Sequence, residues 1–355
     1  MKIQDKKIGT NYPTYFIAEI GSNFDGDLER AKKLIQIAAD SNADAVKFQH
    51  YTAGSLVSDK GFDSLSSNVE THQSKWKDSV SITYDKASLN KDWTEVLYET
   101  AHDCGIGFLT SPYSIDLIDY VEPFVDAYKI GSGDITFNSV IEKISKKDKP
   151  ILLAAGASSM DDVNNAMNIL LKSNNPTNLC LMQCNTNYEG LLSNAKFQNL
   201  NVIKSFQNKY PKTSLGLSCH MPGWTSVLGS VALGARVIEK HFTDDRSRPG
   251  PDHSFAINPQ EWKKMVEETR LLESMMGDGI KKVEKNEEKT VIVQQRCLRL
   301  KLDLEPGDII DESMVEALRP CPKNGIKPYE IESILNKKLT KSIKSGEHVT
   351  SDHFS

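Results

Sequence analysis

The chain has 355 residues, of which 39% are hydrophobic and 26% are charged. Because this length exceeds the size at which a single core stops growing, we expect one large domain and one small domain. The 43 Lys and Arg residues against 48 Asp and Glu give a net charge of -5, which argues against a general basic surface for nucleic acid or an anionic membrane. Any bound anion must therefore meet local cations.

The cysteines and the first residues indicate the compartment. The six cysteines lack the paired spacing of a zinc module, and the chain is too long to need a disulfide scaffold, so reduced thiols are expected. The start, MKIQDKKIGTNYP, is polar, and there is no uninterrupted run of about 18 apolar residues. We expect a soluble, cytoplasmic protein without a membrane or nucleic-acid partner.

Short apolar runs alternate with longer amphipathic segments, a pattern typical of parallel strands joined by helices. The strand candidates are 14–21, 43–49, 106–112, 126–132, 150–156, 178–185, 214–220 and 236–242, and the helical patterns include 28–40, 160–172 and 259–275. Eight β/α units in about 260 residues predict an α/β fold of the TIM (β/α)8 barrel type. A doubly wound open sheet is the alternative, but AEIGSNFDGD matches its G-x-G-x-x-G phosphate loop poorly.

Residues 51–90 form a long polar connection after the second strand candidate. Loops of this length are uncommon unless they are functional or disordered. The connection leaves its strand at the end where barrels keep their active sites, so we expect a lid over the substrate. An insertion without function is the alternative.

The end of the chain changes in character. The segment KKVEKNEEKT has seven charged residues out of ten, which predicts a solvated linker or an exposed helix. Beyond it, short apolar stretches are broken by the turn signals LEPGD, RPCPKNG and KSGEH. We therefore predict a barrel over 1–275, a charged linker over 276–290 and a small, turn-rich domain over 291–355.

Polar and charged residues interrupt the strand candidates near their C-terminal ends, although barrel strands should be nearly continuous apolar runs. They are Glu19, Lys47, Gln49, Thr110, Lys129, Ser218, His220, Glu239 and His241. Unpaired buried ions cost about several kcal/mol each, so these side chains must have partners. One interpretation is an internal ionic network of the two lysines with the two glutamates. The other is an anionic substrate bound by the two lysines, with Ser132 and Ser218 as hydrogen-bond donors.

Two histidines, His220 and His241, lie at matching ends of the last two strand candidates, which are neighbours in a closed barrel. Two imidazoles beside carboxylates predict a divalent-metal site that leaves positions for water and substrate; structural core histidines are the alternative. His253, in the following loop, is a candidate third ligand. The remaining histidines have no such context and are expected at the surface: His50, His72, His102, His348 and His353.

Five segments resemble the sialic acid synthase family, which makes nine-carbon nonulosonic acids: AEIGSNFDGD, ADAVKFQ, YKIGSGD, GLSCH and VIEKHFTDDRSRPGPDH. Residues 294–355 are similar to the family's C-terminal SAF (antifreeze-like) domain. The resemblance implies a metal-dependent condensation of phosphoenolpyruvate with the open-chain aldehyde of an N-acetylated amino sugar, giving a 3-deoxy ulosonic acid and phosphate. It also implies a domain-swapped homodimer.

The resemblance further implies roles for individual residues. His220 and His241 would bind the divalent ion, Mn²⁺ with Mg²⁺ or Co²⁺ as substitutes. Phosphoenolpyruvate would be bound by Lys47, Lys129, Ser132, Thr186 and Ser218. Glu19 would transfer protons, and the two lysines would be catalytic by stabilising the departing phosphate. The sugar would contact Gln49, Asp134, Tyr188, Asp252 and, from the partner subunit, Arg319.

Several positions depart from the family pattern, and they cluster around the expected phosphate and sugar contacts. Phe24 replaces a histidine, Cys219 replaces an aspartate, and Asp134 is one methylene shorter than the usual glutamate. Ala154-Ala155-Gly156 replaces a Ser-Thr-Gly, so that either Ser158 or a backbone amide takes over phosphate contacts or the phosphate site is weaker. The sugar stays open between an N-acetylmannosamine-like compound and a diacetamido-trideoxy hexose.

Other functions compete with this interpretation. A Schiff-base aldolase would need a lysine in an apolar pocket, whereas strand alternation turns Lys240 towards the helices. A catalytically silent homologue with a binding role, or an ice- or glycan-binding protein, are the alternatives without catalysis.

Overall fold

The computed structural model describes residues 1–65, 73 and 76–354. The chain divides into two compact units, Met1–Gly277 and Asp278–Ser355. No helix in the described ranges is both long enough and apolar enough to cross a bilayer. The surface position expected for His72 lies outside the described residues.

The first unit is a closed barrel of parallel strands, preceded by a short antiparallel hairpin of β1 (Lys2–Ile3) and β2 (Lys6–Lys7). The barrel strands are β3 (Tyr15–Glu19), β4 (Ala45–His50), β5 (Gly107–Pro112), β6 (Ala127–Ile130), β7 (Ile151–Ala154), β8 (Leu179–Cys184), β9 (Ser214–Cys219) and β10 (Val237–His241). Each overlaps its predicted segment. Strand β10 pairs with β3, placing His241 opposite Glu19, so the barrel prediction is confirmed and the open sheet is excluded.

Helices connect the strands and cover the outside of the barrel. They are α1 (Leu28–Asp40), α2 (Ala53–Leu56), α3 (Asp59–Asp63), α4 (Val80–Ala87), α5 (Thr94–Asp103), α6 (Ile115–Val121), α7 (Asn138–Ser145), α8 (Met160–Ser173), α9 (Val202–Lys209), α10 (Thr225–Ala232) and α11 (Pro259–Met275). The predictions for α1 and α11 are confirmed at both ends. Asn258 and Glu261 form a reciprocal capping box at the start of α11, with Pro259 in its first turn.

The connection 51–90 is not the loop that its polarity suggested, because it contains the short helices α2, α3 and α4. Serine side chains cap two of them: Ser58 accepts from the amide of Gly61 and Ser79 from the amide of Ile82. Capping satisfies amides that would otherwise be left without partners at a helix start, so polar residues are compatible with helices here.

The barrel strands bury both of their faces. The outward face packs against the helices, with Phe16, Phe48 and Phe108 among its fully buried rings. The inward face forms a second apolar layer at the N-terminal end of the barrel, where Ile3 and Ile8 of the hairpin region close it from below. Other members of this layer are Ile17, Leu109, Leu152, Met182 and Val237. The polar side chains therefore begin above an apolar floor.

The second unit is small and rich in turns. It contains α12 (Glu288–Gln294) and an antiparallel pair, β11 (Cys297–Leu300) with β12 (Val315–Leu318). Its own core consists of Leu298, Leu300, Leu304, Ile310, Val315, Ile334, Leu339, Ile343 and Val349. Gly307 and Gly346 adopt positive φ angles in the LEPGD and KSGEH turns, which favours glycine at both positions. This arrangement agrees with the turn signals in the sequence.

Packing of α11 against the barrel can be tested at Trp262, which is fully buried between Phe16 and Phe242. Trp262→Ala is expected to lower the free energy of unfolding by about 3–5 kcal/mol, because the truncation leaves a cavity. Urea unfolding followed by far-UV circular dichroism measures this. Leu271→Ala on the same helix is the control, since Leu271 is 55% exposed, and an equal loss in both variants would contradict the packing.

Candidate active site

A cavity of about 390 Å³ opens at the C-terminal end of the barrel, where the strand ends, the following loops and the connection 51–90 meet. The sequence-predicted residues that line it are Lys47, Gln49, Lys129, Ser132, Asp134, Thr186, Tyr188, Ser218, His220, His241 and Asp252. They come from different strands and from loops far apart in the chain. The structure therefore brings nearly the whole predicted set together around one space.

Two predicted residues lie elsewhere. Glu19 is fully buried beside the cavity wall, where its Oε2 is 2.5 Å from Lys47 Nζ and its Oε1 accepts from Gln49 Nε2 at 2.7 Å. Arg319 follows β12 in the second unit and its side chain is exposed. Its reach into a partner's site stays a prediction.

The internal ionic network considered from the sequence is present, and it lines the cavity. Lys129 Nζ donates to both carboxylate oxygens of Glu239, at 2.7 and 2.8 Å. Ser218 Oγ donates to Glu239 Oε1 at 3.2 Å, and Lys47 forms the second ion pair with Glu19. The network thus places two lysines at the base of a space large enough for a small anion.

The two glutamates differ in their affinity for a proton. Burial would raise the pKa of Glu239, but Lys129 and Lys47 outweigh it and hold that pKa well below its usual range. Burial raises the pKa of Glu19, and the charge of Glu239 adds to the rise against the opposing effect of Lys47. Glu239 is therefore the fixed anion of the pair, and Glu19 is the carboxyl group better suited to exchange a proton.

The two predicted metal ligands lie side by side, with ring centroids 5.4 Å apart. His220 Nδ1 donates to the carbonyl of Asn185 at 3.1 Å. Burial would lower the pKa of His220, but its hydrogen bonds with Cys184 and with that carbonyl outweigh burial and raise the pKa. His241 Nδ1 is buried without a hydrogen-bond partner in the described structure and lies 3.8 Å from Asp252 Oδ2. Burial lowers the pKa of His241 to about 3, so its imidazole is neutral at pH 7, the form that binds metals.

These donors fit a divalent ion whose remaining ligands come from outside the protein. Within the described residues, no group of three or more His, Cys, Asp and Glu side chains is arranged to hold a metal. Two imidazoles on one wall, of which His241 is neutral and has an unpartnered nitrogen, form an open site of the kind that catalytic metals occupy.

The sequence suggested His253 as a third metal ligand, but in the structure its ring nitrogens bind other residues. It is almost fully buried, with Nδ1 2.8 Å from Thr243 Oγ1 and Nε2 2.8 Å from Asp25 Oδ1. Because both ring nitrogens are occupied, His253 instead ties the last barrel loop to the first.

The alternation of side chains corrects two further expectations. His50 was expected at the surface, but it is buried on the helix-facing side, between Thr110 Oγ1 at 2.6 Å and Thr94 Oγ1 at 2.7 Å. Burial lowers its pKa to about 4. Thr110 therefore faces away from the cavity, and its neighbour Ser111 faces Lys47 at 3.4 Å. The side chains of His102, His348 and His353 are half-buried rather than fully exposed.

The residues at and beside some departures from the family pattern have partners within the protein. Phe24 is fully buried against Phe48, with ring centroids 6.2 Å apart, and belongs to the core. Ser158 Oγ donates to the carbonyl of Ala155. The amide of Gly156 donates to Ser132 Oγ at 3.0 Å.

Glycine is required at Gly156 by the close approach of two predicted ligands. A Cβ atom there would lie 2.8 Å from Ser132 Oγ and would overlap Thr186 Oγ1. The hydroxyls of Ser132 and Thr186 are thus packed around one backbone segment, in the place where the resemblance expects the phosphate.

Sequence reasoning missed an aromatic wall of four residues on one side of the cavity. Tyr51 lies 5.6 Å from Tyr84 and 5.9 Å from Tyr113 between ring centroids, and Trp76 lies 5.6 Å from Tyr84. Tyr51 and Tyr113 each follow the last residue of a barrel strand. Barrel enzymes place functional residues at that position, so the position of Tyr51 and Tyr113 after a strand could have identified them from the sequence.

Comparison with known proteins agrees with this fold. Residues 34–281 match the NeuB family, and residues 295–355 match the SAF domain. N,N'-diacetyllegionaminic acid synthase of Campylobacter jejuni is 36% identical over 336 residues, covering 94% of this chain and 98% of that protein. Pseudaminic acid synthase of the same species is 32% identical, covering 99% of this chain and 100% of that protein.

A solved structure gives the same result. N-acetylneuraminic acid synthetase from Leptospira borgpetersenii, in complex with citrate, is 28% identical with a TM-score of 0.70, covering 82% of this chain and 94% of that one. The fold and the site define a barrel synthase with a C-terminal SAF domain. The chain belongs to the NeuB family, and it is a phosphoenolpyruvate-dependent synthase.

The carboxyl group of Asp134 allows a test of the predicted sugar contacts, because burial raises its pKa to about 6. As the pH falls below this value the side chain is protonated and no longer offers a carboxylate to sugar hydroxyls. We expect the KM for the sugar to rise about tenfold from pH 7 to pH 5 in the wild type. Initial rates measure this, and Asp134→Asn is the matched control: the same pH dependence in both would contradict the assignment.

Proposed function

We propose that this protein catalyses the metal-dependent condensation of phosphoenolpyruvate with the open-chain aldehyde of an N-acetylated amino sugar, releasing phosphate and a nine-carbon nonulosonic acid. The observation that carries the proposal is the convergence of two buried lysines and two neighbouring imidazoles on one cavity. The relatives named as legionaminic and pseudaminic acid synthases support it.

Phosphoenolpyruvate is placed by the lysines at the base of the cavity. Lys47 and Lys129 are each paired with a glutamate, so an entering anion competes with internal partners. Hydroxyls of Ser132, Thr186 and Ser218 line the same region and can donate to phosphate or carboxylate oxygens. Since the cations are already balanced, the entering anion must displace part of this internal pairing.

The metal would be held by His220 and His241, with Mn²⁺ as the expected ion and Mg²⁺ or Co²⁺ as substitutes. When bound, it supplies a Lewis acid for the aldehyde oxygen. The protein holds both imidazoles in place: the Asn185 carbonyl orients His220, and burial keeps His241 unprotonated.

The remaining steps use this chain's own residues. The new carbon-carbon bond forms between C3 of phosphoenolpyruvate and the aldehyde carbon, whose oxygen takes up a proton from solvent and becomes a hydroxyl group. Water then adds at C2. Glu19 takes the proton of that water, because its carboxyl group is buried beside Lys47 and has a raised pKa. Cleavage of the C2–O bond of the resulting adduct releases phosphate, whose charge Lys47 and Lys129 stabilise.

The sugar end of the cavity favours an uncharged substrate. Asp134 and Asp252 lie there together with the aromatic wall, and these carboxylates would repel a sugar phosphate. The cavity lysines that the structure describes, Lys47 and Lys129, are engaged with the phosphoenolpyruvate region. A diacetamido-trideoxy hexose suits the wall better than N-acetylmannosamine, because its methyl group and second acetamido group bury more apolar surface against the rings.

The Schiff-base aldolase finds little support in the site, since it needs an uncharged lysine in an apolar pocket. Glu19 and Glu239 raise the pKa of Lys47 against the effect of burial. Lys129 is held by both oxygens of Glu239. Lys240 faces the helices, where it donates to the carbonyl of Met221.

Release of inorganic phosphate from phosphoenolpyruvate tests the proposal directly. With Mn²⁺ present, we expect release with a diacetamido-trideoxy hexose, slower release with N-acetylmannosamine and none with its 6-phosphate. EDTA should abolish the reaction, and borohydride with pyruvate should trap no adduct. No release with any sugar would contradict the synthase, whereas an adduct with EDTA-resistant activity would favour the aldolase.

The role of Glu19 is tested by Glu19→Gln, which keeps hydrogen-bonding capacity next to Gln49 while removing the titratable group. The kcat is expected to fall by about 10²–10⁴ with the fold intact, because proton transfer is lost. Phosphate release at saturating substrate measures kcat, and far-UV circular dichroism checks the fold. Glu29→Gln on the exposed side of α1 is the control, and full turnover in Glu19→Gln would remove Glu19 from the mechanism.

A further inference from the structure

A buried lysine lies directly behind the two histidines, outside the cavity. Lys240 on β10 is only 1% exposed and points towards the helices. Its Nζ donates to the carbonyl oxygen of Met221 at 2.6 Å and approaches Cys219 Sγ at 3.5 Å. In the described ranges, no carboxylate forms an ion pair with it.

Such an arrangement is unfavourable for stability alone. Removing an ammonium group from water is costly, and a carbonyl and a thiol compensate its charge less than a carboxylate would. A methionine could follow the same path without that cost, because its unbranched side chain has similar length. The charge at this position therefore needs an explanation other than packing.

The positions of the bridged residues provide one. Lys240 is the neighbour of His241 in the chain, and its acceptor Met221 is the neighbour of His220. In the sheet, Lys240 is the register partner of Cys219, the residue on the other side of His220. One side chain thus joins the two backbone segments that carry the histidines, from the face of the sheet opposite the cavity.

Cys219 strengthens this connection. Its Sγ accepts from the amide of Met221 at 3.4 Å and lies 3.1 Å from Ser226 Oγ, so the thiol holds the turn after β9 against the start of α10. The bond from Lys240 to the Met221 carbonyl, at 2.6 Å, is shorter than the contact of Lys240 with Cys219 Sγ, at 3.5 Å. The bridge therefore acts mainly on the backbone next to His220.

We propose that Lys240 is a positioning residue, which fixes the separation of His220 and His241 for the divalent ion by tying β10 to the backbone after β9. The inference rests on the proposed function in one respect, the metal held by the two histidines. Lys240 itself does not touch the ion or the substrates. Its effect is on how well two ligand atoms are held at the spacing that one ion requires.

The test is the affinity for Mn²⁺, measured without substrates by titration with electron paramagnetic resonance of the free ion. Lys240→Met removes the donor and keeps the length of the side chain. Its Kd is expected to rise about 10–100-fold, as when other residues that orient metal ligands are changed. The Tm should stay the same or increase, because replacing a poorly compensated buried charge by an apolar residue is often neutral or stabilising.

Two further variants make the result decisive. Lys264→Met on the exposed side of α11 has the same chemical change and should bind Mn²⁺ like the wild type. Lys240→Gln keeps a shorter donor, so its Kd should lie between those of the wild type and Lys240→Met. If Lys240→Met does not fold, the Kd of Lys240→Gln provides the test. A Kd for Mn²⁺ equal to that of the wild type in folded Lys240→Gln overturns the inference.

The outcomes separate this inference from the proposed function. If the wild type binds no Mn²⁺, or if His220→Ala and His241→Ala bind it unchanged, the metal site itself is wrong and the inference falls with it. If the wild type binds Mn²⁺, the histidine variants lose it and folded Lys240→Met binds it with unchanged Kd, only the positioning role is overturned.

Discussion

The attraction between two lysines and two glutamates inside the barrel mouth is the interaction on which the rest of the site depends. Lys47 and Lys129 are each 3% exposed, and Glu19 and Glu239 are 0% and 5% exposed, so none of the four could be buried alone. The Lys129–Glu239 pair crosses the barrel from β6 to β10, whereas Lys47 and Glu19 are register partners on the neighbouring strands β4 and β3. Charged groups are thereby fixed just above the apolar floor before any substrate arrives.

This network also explains how one site can serve an anion and a proton transfer. Glu239 is ionised and bonded to Lys129 through both oxygens, so it acts as a permanent counter-ion. Glu19 has a raised pKa although it contacts a lysine, because it is more deeply buried and lies near Glu239. Two like charges in one small volume push the proton affinities of the two carboxyl groups apart, and the division of roles in the proposed reaction follows from that difference.

The sequence predicted what depends on alternation within a strand. Side chains alternate between the two faces of a strand with a period of two residues. This alternation, within otherwise apolar runs, predicted that Lys47, Lys129 and Glu239 point into one cavity. The sequence did not show which face of the strand Thr110 and His50 occupy, because the alternation alone does not say which face is the inner one. It also did not predict the contacts of His253, because the conformation of a loop places that side chain. The aromatic wall was missed because its contacts join the connection 51–90 to the end of another strand, and spacing along the chain carries no information on such pairs.

The hairpin at the start of the chain affects the order in which the two substrates can bind. Ile3 and Ile8 pack in one apolar layer with Ile17 and Leu109, so the barrel is closed below the cavity. The lysines lie at its base and the aromatic wall borders the entrance side with the connection 51–90. For the proposed reaction, a sugar that arrived first would block the way to the lysines, so phosphoenolpyruvate must enter first and the sugar second. The nine-carbon product must then leave before the next cycle begins.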